Sequence, residues 1–93
     1  MQIFDKKDFY KFETIFKGVA NHRRLEILLE LYNDEQMSTE EIVERLNVHY
    51  QTGAHHAQKL VKAGLAFSHR EGSVQIYSLT PKASLIISLL KKL

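Results

Sequence analysis

The sequence predicts a mainly α-helical chain with one β-hairpin near its C-terminal end. Apolar residues recur every three or four positions through most of residues 5–63, which is the period of amphipathic helices. Gly64 then ends the last of these helices, and two short runs of alternating apolar and polar residues follow on either side of a turn. Helix, tight turn, helix and hairpin in this order predict a winged helix-turn-helix, the hairpin being the wing.

Length and composition limit the chain to one small folded unit. Its 93 residues predict a single domain over 1–93, and 44% hydrophobic with 26% charged residues is ordinary globular usage. The absence of cysteine excludes disulfides and thiolate metal sites. The N-terminus lacks the layout of a signal peptide and the longest apolar stretch, Ala83 to Leu90, is too short to span a membrane, so no membrane segment is predicted and the cytoplasm is the expected compartment.

Two helices are predicted before residue 33. The first begins near Asp5, and its spacing leaves the charged residues mostly off the apolar stripe. The second is capped by Asn21, runs to about Tyr32, and is apolar around most of its circumference, so we expect it to be the central, most buried helix. The apolar stripe of the first helix consists of Phe9, Phe12, Ile15, Phe16 and Val19.

Capping signals define the helix-turn-helix. Ser38, with a glutamate three residues later, has capping-box spacing and predicts a third helix that ends at Asn47. The fourth helix is predicted to begin near His49 or Tyr50 and to stop at Gly64. This fourth helix is the candidate recognition helix.

The hairpin and a last helix complete the predicted fold. The strands are expected from Leu65 to His69 and from Val74 to Leu79, separated by Arg70–Ser73. Thr80 followed by Pro81 predicts a cap and a first-turn proline. The helix that follows has a broad apolar face.

The outward face of the fourth helix predicts binding to double-stranded DNA. Gln51 and His55 are expected to reach base edges, whereas Thr52 and the helix amides are suited to a phosphate. An ordinary solvated helix face is the alternative. The outward residues, including one at the edge, are Gln51, Thr52, His55, Gln58, Lys59 and Lys62.

The wing supplies a smaller predicted contact. Arg70 and Ser73, with His69 beside them, are expected to contact phosphate or the minor groove. Only one arginine is present and Glu71 is adjacent, so an ordinary exposed turn is the alternative interpretation.

One histidine and one arginine have predicted structural uses. Neighbouring helical side chains diverge by about 100°, so His55 and His56 do not form a metal-binding pair. His56 is expected to be half-buried and hydrogen-bonded within the fold. Arg24 is expected to tie the second helix to a neighbouring carboxylate or carbonyl, with Arg23 solvated.

The apolar faces at the two ends of the chain predict a homodimer. A short chain gains stability by pairing such faces across a two-fold axis, although both faces could instead cover the chain's own core. The residues predicted at the dimer interface are Phe9, Phe12, Phe16, Leu85, Ile86, Leu89 and Leu90.

The assembled residues resemble the ArsR/SmtB family of winged-helix repressors over roughly residues 16–80. Residues 16–28, Phe-Lys-Gly-Val-Ala-Asn-His-Arg-Arg-Leu-Glu-Ile-Leu, are similar to the family's entry to its second helix. Residues 56–65, His-Ala-Gln-Lys-Leu-Val-Lys-Ala-Gly-Leu, are similar to its recognition helix and exit. The Glu71-Gly72 turn and residues 76–79, Ile-Tyr-Ser-Leu, fit its wing.

The departures from the family pattern concern its sensing sites and its reading head. Where family metal sensors carry Cys-Val-Cys-Asp, residues 38–41 are Ser-Thr-Glu-Glu, and residues 81–93 contain neither His nor an acidic residue. The resemblance therefore implies a repressor fold without the family's usual metal input. Gly53 stands where the family has a buried aliphatic residue and Ala54 where it has a serine, which leaves open a looser reading head.

The resulting functional prediction is a homodimeric transcriptional regulator, a repressor, that binds an inverted repeat in double-stranded DNA. No arrangement of nucleophile and base, no phosphate-binding glycine loop and no carboxylate cluster indicates an enzyme, and no cofactor is predicted. One alternative is a winged helix that binds protein and has little sequence-specific DNA binding. Another is a sensor whose apolar ligand lies among the aromatic residues near the N-terminus; the sequence does not identify such an effector.

Overall fold

A computed structural model describes residues 3–93 and contains five helices and three strands within that range. Two helices precede the first strand, two lie between the first and second strands, and one follows the third strand. The strands form a small antiparallel sheet, so the predicted fold class is confirmed. The elements are α1 (Lys6–Val19), α2 (His22–Asn33), β1 (Met37–Ser38), α3 (Thr39–Leu46), α4 (Tyr50–Lys62), β2 (Ala66–Glu71), β3 (Val74–Leu79) and α5 (Pro81–Leu90).

The helix boundaries follow from side-chain caps that the sequence displays. Ser38 accepts from the backbone N–H of Glu41, whose own carboxylate accepts from the N–H of Ser38, so both halves of the predicted capping box are present. Asn47 ends α3 in the left-handed region at φ 55°. The Thr80 hydroxyl accepts from the N–H of Ala83 at the start of α5.

The three strands form one sheet in the order β1-β3-β2, and all pairings are antiparallel. β1 has only two residues, in which Met37 pairs with Tyr77 and Ser38 with Ile76. This strand was not predicted, because two residues, the second of which caps α3, have no periodicity. The strand matters because it fixes the start of α3 to the hairpin.

The hairpin turn is shorter than predicted. β2 continues through Arg70 to Glu71, and Glu71 pairs with Val74, so only Gly72 and Ser73 connect the strands. Gly72 has φ +65° at the first of these two positions, where a type II′ turn requires glycine. The expectation that Arg70 lies in the turn is therefore wrong: it pairs with Gln75 inside the ladder.

The core lies around α2, as expected for a helix that is apolar around most of its circumference. Ile27 and Leu28 have no exposed surface, and Leu31 is also buried. These side chains pack with buried residues of the sheet, the other helices and the link after α4. Leu29 is an exception on the same helix, because 45% of it is exposed. Within residues 3–93, no helix is long and apolar enough to cross a membrane.

Candidate nucleic-acid interface

The candidate recognition helix α4 is held between two different neighbours. On one flank lie the end of α1 and the start of α2, and on the other lies the hairpin strand β2. The inner face packs against α3 through Gly53, Ala57 and Leu60, all buried. The face opposite this inner one is left to solvent.

Every residue predicted for DNA contact on α4 lies on that solvent face and is exposed. These residues occupy about a third of the helical wheel, so the chain presents them together along one side of the helix. The exposed residues are Gln51, Thr52, His55, Gln58, Lys59 and Lys62.

Gln58 has a structural contact that sequence analysis missed. Its Nε2 donates a hydrogen bond of 2.8 Å to the hydroxyl of Tyr77, a β3 residue that is only 1% exposed. The bond ties α4 to the hairpin and occupies one amide hydrogen of Gln58. The remaining amide hydrogen and the carbonyl oxygen are the groups that this side chain can offer to a ligand.

The hairpin places its basic residues beside acidic ones. Arg70 and Ser73 are exposed, as predicted, but Arg70 projects from the strand rather than from the turn. His69 Nε2 lies 2.8 Å from a carboxylate oxygen of Glu71. This pairing reduces the positive field at the tip, which leaves Arg70 as the main cation there.

Gly53 allows α3 and α4 to pack closely, without a gap between them. It is buried, and a Cβ at this position would collide with Cγ1 of Val43. The space of the family's aliphatic side chain is thus filled by Val43 from the neighbouring helix. The packing gives no sign of the looser reading head that remained open from the sequence.

Arg24 and His56 join the start of α2 to the middle of α4. The Arg24 Nε donates to the carbonyl of Gly18 at 2.7 Å, and Nη2 donates to that of Lys17 at 3.1 Å, which satisfies the C-terminal end of α1. Nη1 lies 3.3 Å from Nδ1 of His56. The predicted structural uses of both side chains are confirmed, with carbonyls as the partners of Arg24.

The surroundings of His56 favour its neutral form. Partial burial lowers the pKa of His56 below its ordinary value of 6.5, and the charge of Arg24 lowers it further. His55, His22 and Arg23 act in the same direction. Because Arg24 has only N–H donors, Nδ1 of His56 must be the acceptor in this contact.

The α1 flank contains a basic pocket that sequence analysis did not predict. A pocket of about 450 Å³ lies between α1 and α4, lined by Lys17, Arg24, Lys59 and Lys62 as its charged residues. It exists because Gly18 brings the two helices together: a Cβ on Gly18 would lie 2.5 Å from the Cβ of Ala63. A glycine inside an amphipathic helix was the sequence signal for this approach.

Most residues predicted at a dimer interface have large exposed apolar surfaces. Phe9 is 53% and Phe16 67% exposed on α1, and Leu85 is 72% and Leu89 60% exposed on α5. Phe12 is half-buried and packs edge-on against Phe4, with ring centroids 5.1 Å apart. The other two predicted interface residues, Ile86 and Leu90, are half-buried on α5.

The site groups side chains that donate hydrogen bonds or carry positive charge. Among residues 3–93, no three histidine or acidic side chains are grouped so that they could hold a metal ion. The side chains that are grouped are amides, hydroxyls, imidazoles and cations, which are the donors that phosphates and base edges accept from.

Known structures share this geometry. HlyU from Vibrio cholerae is similar over 95% of this chain and 96% of its own, with 28% identity and a TM-score of 0.83. The transcriptional repressor PagR of Bacillus anthracis matches 92% of this chain and 99% of its own, with 26% identity and a TM-score of 0.81.

A third structure is the homodimeric winged helix-turn-helix DNA-binding domain, residues 1–100, of a possible ArsR-family transcriptional regulator from Mycobacterium bovis. It covers 98% of this chain and 86% of its own, with 26% identity and a TM-score of 0.83. The chain is an ArsR-like winged helix-turn-helix protein. The resemblance indicated by its sequence is thereby confirmed, although no protein-family model matches the chain.

Proposed function

We propose that this ArsR-like chain is a homodimeric transcriptional regulator that binds duplex DNA through α4. The observation that carries the proposal is the solvent face of α4, where polar and cationic side chains are exposed together on the second helix of a helix-turn-helix. An α-helix with its side chains is about 10–12 Å across, close to the ~12 Å width of the major groove. The similar structures of a transcriptional repressor and of a homodimeric DNA-binding domain support the same function.

The residues of α4 take different roles along its length. Gln51 and His55 lie one turn apart near the N-terminal end, which enters the groove first, and they contact base edges. Thr52 and the N-terminal amides bind a phosphate, for which His49 leaves room because it makes no side-chain cap. Lys59 and Lys62 add positive charge that attracts the phosphates of the DNA backbone.

The hairpin and Gln58 serve these contacts in a secondary way. Arg70 and Ser73 reach the backbone or the minor groove on the side of the hairpin. Gln58 contacts DNA through the amide hydrogen and the carbonyl oxygen that its bond to Tyr77 does not use. The same bond orients the hairpin relative to α4. We expect both contributions to be smaller than that of the N-terminal turn of α4.

Dimerisation uses the apolar faces of α1 and α5. Monomeric proteins rarely leave several large apolar side chains exposed on one face, and here Phe9, Phe16, Leu85 and Leu89 are all more than half exposed. Pairing across a two-fold axis places two copies of α4 in successive major grooves, about 34 Å apart. The operator is therefore an inverted repeat.

Repression follows from occupancy of such an operator, and the name of PagR as a transcriptional repressor supports this direction of control. We also propose that regulation does not use the family's metal inputs. Residues 38–41 are Ser-Thr-Glu-Glu in place of the thiolate segment, and residues 81–93 carry no histidine or carboxylate side chain. The function needs no catalytic step.

The test is selection of randomised duplex DNA by the purified protein, followed by affinity measurements on the enriched sequence. We expect an inverted repeat with half-sites about one helical turn apart. Gln51→Ala should then relax the preference at one base pair per half-site, by about 1–3 kcal/mol of discrimination. Gln36→Ala, an exposed amide in the loop before β1, is the control and should change nothing.

The opposite outcome would favour a protein-interaction module. The observation in its favour is a largely apolar groove between α4, β2 and the start of α5, beside Phe67, which is 56% exposed. If no sequence is enriched and DNA affinity is weak, this groove becomes the candidate binding surface. Steep loss of DNA affinity with salt would instead retain the DNA-binding function.

A further inference from the structure

The basic pocket of the α1 flank extends beyond the predicted DNA contacts, of which Lys59 and Lys62 lie in its lining. It is lined by Thr14, Lys17, Gly18, Ala20, Arg24, Lys59, Lys62 and Ala63. Four of these residues are cations and none is acidic, so the pocket concentrates positive potential on a chain whose formal charge is only +2. Such a pocket is suited to an anion.

The charges in the pocket are available to different degrees. Lys59 and Lys62 take part in no ion pair within residues 3–93. Lys17 lies 3.6 Å from Glu13, but the two side chains are 77% and 59% exposed, so this pair holds Lys17 only weakly. Arg24 is fixed by two carbonyls and therefore contributes its charge from a constant position.

The position of the pocket relative to α4 identifies its ligand. The hairpin lies on one flank of α4, next to Gln58 and Val61, whereas the pocket lies on the other flank, next to Lys59 and Ala63. A helix that fills the major groove has a sugar-phosphate wall along each flank, because the groove is about as wide as the helix. The pocket therefore faces the wall that the hairpin does not reach.

We propose that this pocket binds a backbone phosphate of the operator, and that Lys17 of α1 is a DNA-contacting residue. The proposal rests on the proposed function and extends it. On one flank of α4 the wing contacts the sugar-phosphate backbone, and on the other flank the α1–α4 pocket contacts the opposite backbone. Lys17 replaces its weak contact with Glu13 by a phosphate contact, which it shares with Lys59 or Lys62. The first helix then has two roles, since its apolar face serves the dimer and its last turn serves DNA.

The experiment compares Lys17→Gln with Lys11→Gln in the full chain. Both lysines are exposed on α1 and both changes remove one charge, but Lys11 does not line the pocket. Operator affinity is measured over a range of salt concentrations. The slope of log affinity against log salt should become shallower by about 0.9 for each phosphate that a variant no longer neutralises.

We expect Lys17→Gln to show this change in slope, with a uniform loss of affinity for all sequences, and Lys11→Gln to show the wild-type slope. Equal behaviour of the two variants on an operator that the wild type binds would overturn the assignment of Lys17 and leave the proposed function intact. A wild-type chain without salt-sensitive DNA binding would overturn both.

A second measurement distinguishes DNA phosphate from a free anion. Inorganic phosphate is titrated into the isotope-labelled wild-type protein without DNA, and the backbone amide signals of Gly18 and Ala63 are followed. We expect no saturation at millimolar phosphate, because a single phosphate lacks the neighbouring contacts that DNA supplies. Saturable binding that Lys17→Gln abolishes, together with an unchanged DNA salt slope, would overturn the proposal in favour of a small phosphorylated ligand.

Discussion

The two flanks of α4 are attached by different means. On the α1–α2 flank, the backbone of Gly18 is packed directly against Ala63, and Arg24 forms hydrogen bonds to two carbonyls and contacts His56. On the hairpin flank, the side-chain hydrogen bonds join neutral groups, from Gln58 to Tyr77 and from Thr80 to the carbonyl of Gly64, beside an open apolar groove. The first flank therefore relies on a charged donor and a direct backbone approach, and the second on neutral hydrogen bonds.

This difference predicts unequal effects of substitutions on the two sides of α4. Side chains in close-packed contacts have few alternative positions, so changes on the α1–α2 flank should be costly. A neutral hydrogen bond has a net contribution of about 1 kcal/mol, so the loss of one on the hairpin flank should cost less. Four substitutions or conditions test the contrast.

The largest effect is expected at Gly18. Gly18→Ala places a methyl group against the Cβ of Ala63, which cannot rotate away, and should lower the free energy of unfolding by about 1–3 kcal/mol despite alanine's higher helix propensity. Urea denaturation measures this change. In an Ala63→Gly background the same substitution should be neutral or stabilising, and strictly additive effects would show that the close approach is not what matters.

Arg24 should come next. Arg24→Gln removes the donors to the carbonyls of Lys17 and Gly18, and we expect a loss of roughly 2 kcal/mol, because hydrogen bonds from a charged donor contribute more than neutral ones. Arg23→Gln is the matched control: its side chain is paired with Glu26 at 3.4 Å, and such exposed pairs contribute about 0–1 kcal/mol. Thermal unfolding that ranks the two variants equally would contradict the special role of Arg24.

A smaller effect is expected at the hairpin. Tyr77→Phe removes the hydroxyl that accepts from Gln58, and Gln58 is exposed enough to bond water instead, so the loss should be about 0.5–1 kcal/mol. Hydrogen exchange should show faster local opening of β2 and β3 while the amides of α4 keep their protection. Equal acceleration in α4 would mean that the two flanks are not independent.

The smallest effect is a pH dependence through His56. Its pKa is lowered in the folded chain, so in the window just below the ordinary value of 6.5 the unfolded chain binds more protons, and stability falls as the pH falls through this window. Chemical denaturation across this range should show the decline in the wild type and in His49→Gln, because His49 is exposed and is not among the groups that shift the pKa of His56. The decline should be reduced in His56→Gln; an unchanged dependence in that variant would assign the effect to other groups.

Much of this fold can be predicted from short segments of the sequence. Ser38 with Glu41, Asn47 and the pair Thr80-Pro81 each satisfy backbone groups within a few residues, so their consequences can be predicted without knowing the rest of the molecule. The exposed face of α4 follows equally from helical spacing. The DNA contacts assigned to that face remain a prediction, since exposure does not identify a ligand.

The features that sequence analysis missed depend on partners distant in the chain. Tyr77 reaches Gln58 across 19 positions, and the two residues of β1 form a strand only because Tyr77 and Ile76 lie beside them. The turn was predicted too long because Arg70 and Glu71 are polar, yet exposed strand positions accept such residues readily. The pocket at Lys17 required the meeting of three helices, which periodicity alone does not specify.

The sheet also has an open side. With the order β1-β3-β2, the outer edge of β2 has no neighbouring strand in the described part of the chain, so its backbone N–H and C=O groups can pair with another extended chain. His69, Arg70 and Glu71 occupy the half of the strand nearest the turn, and charged side chains on an edge discourage such pairing. We expect that replacing all three with uncharged β-formers would make the chain add strands to itself at high concentration.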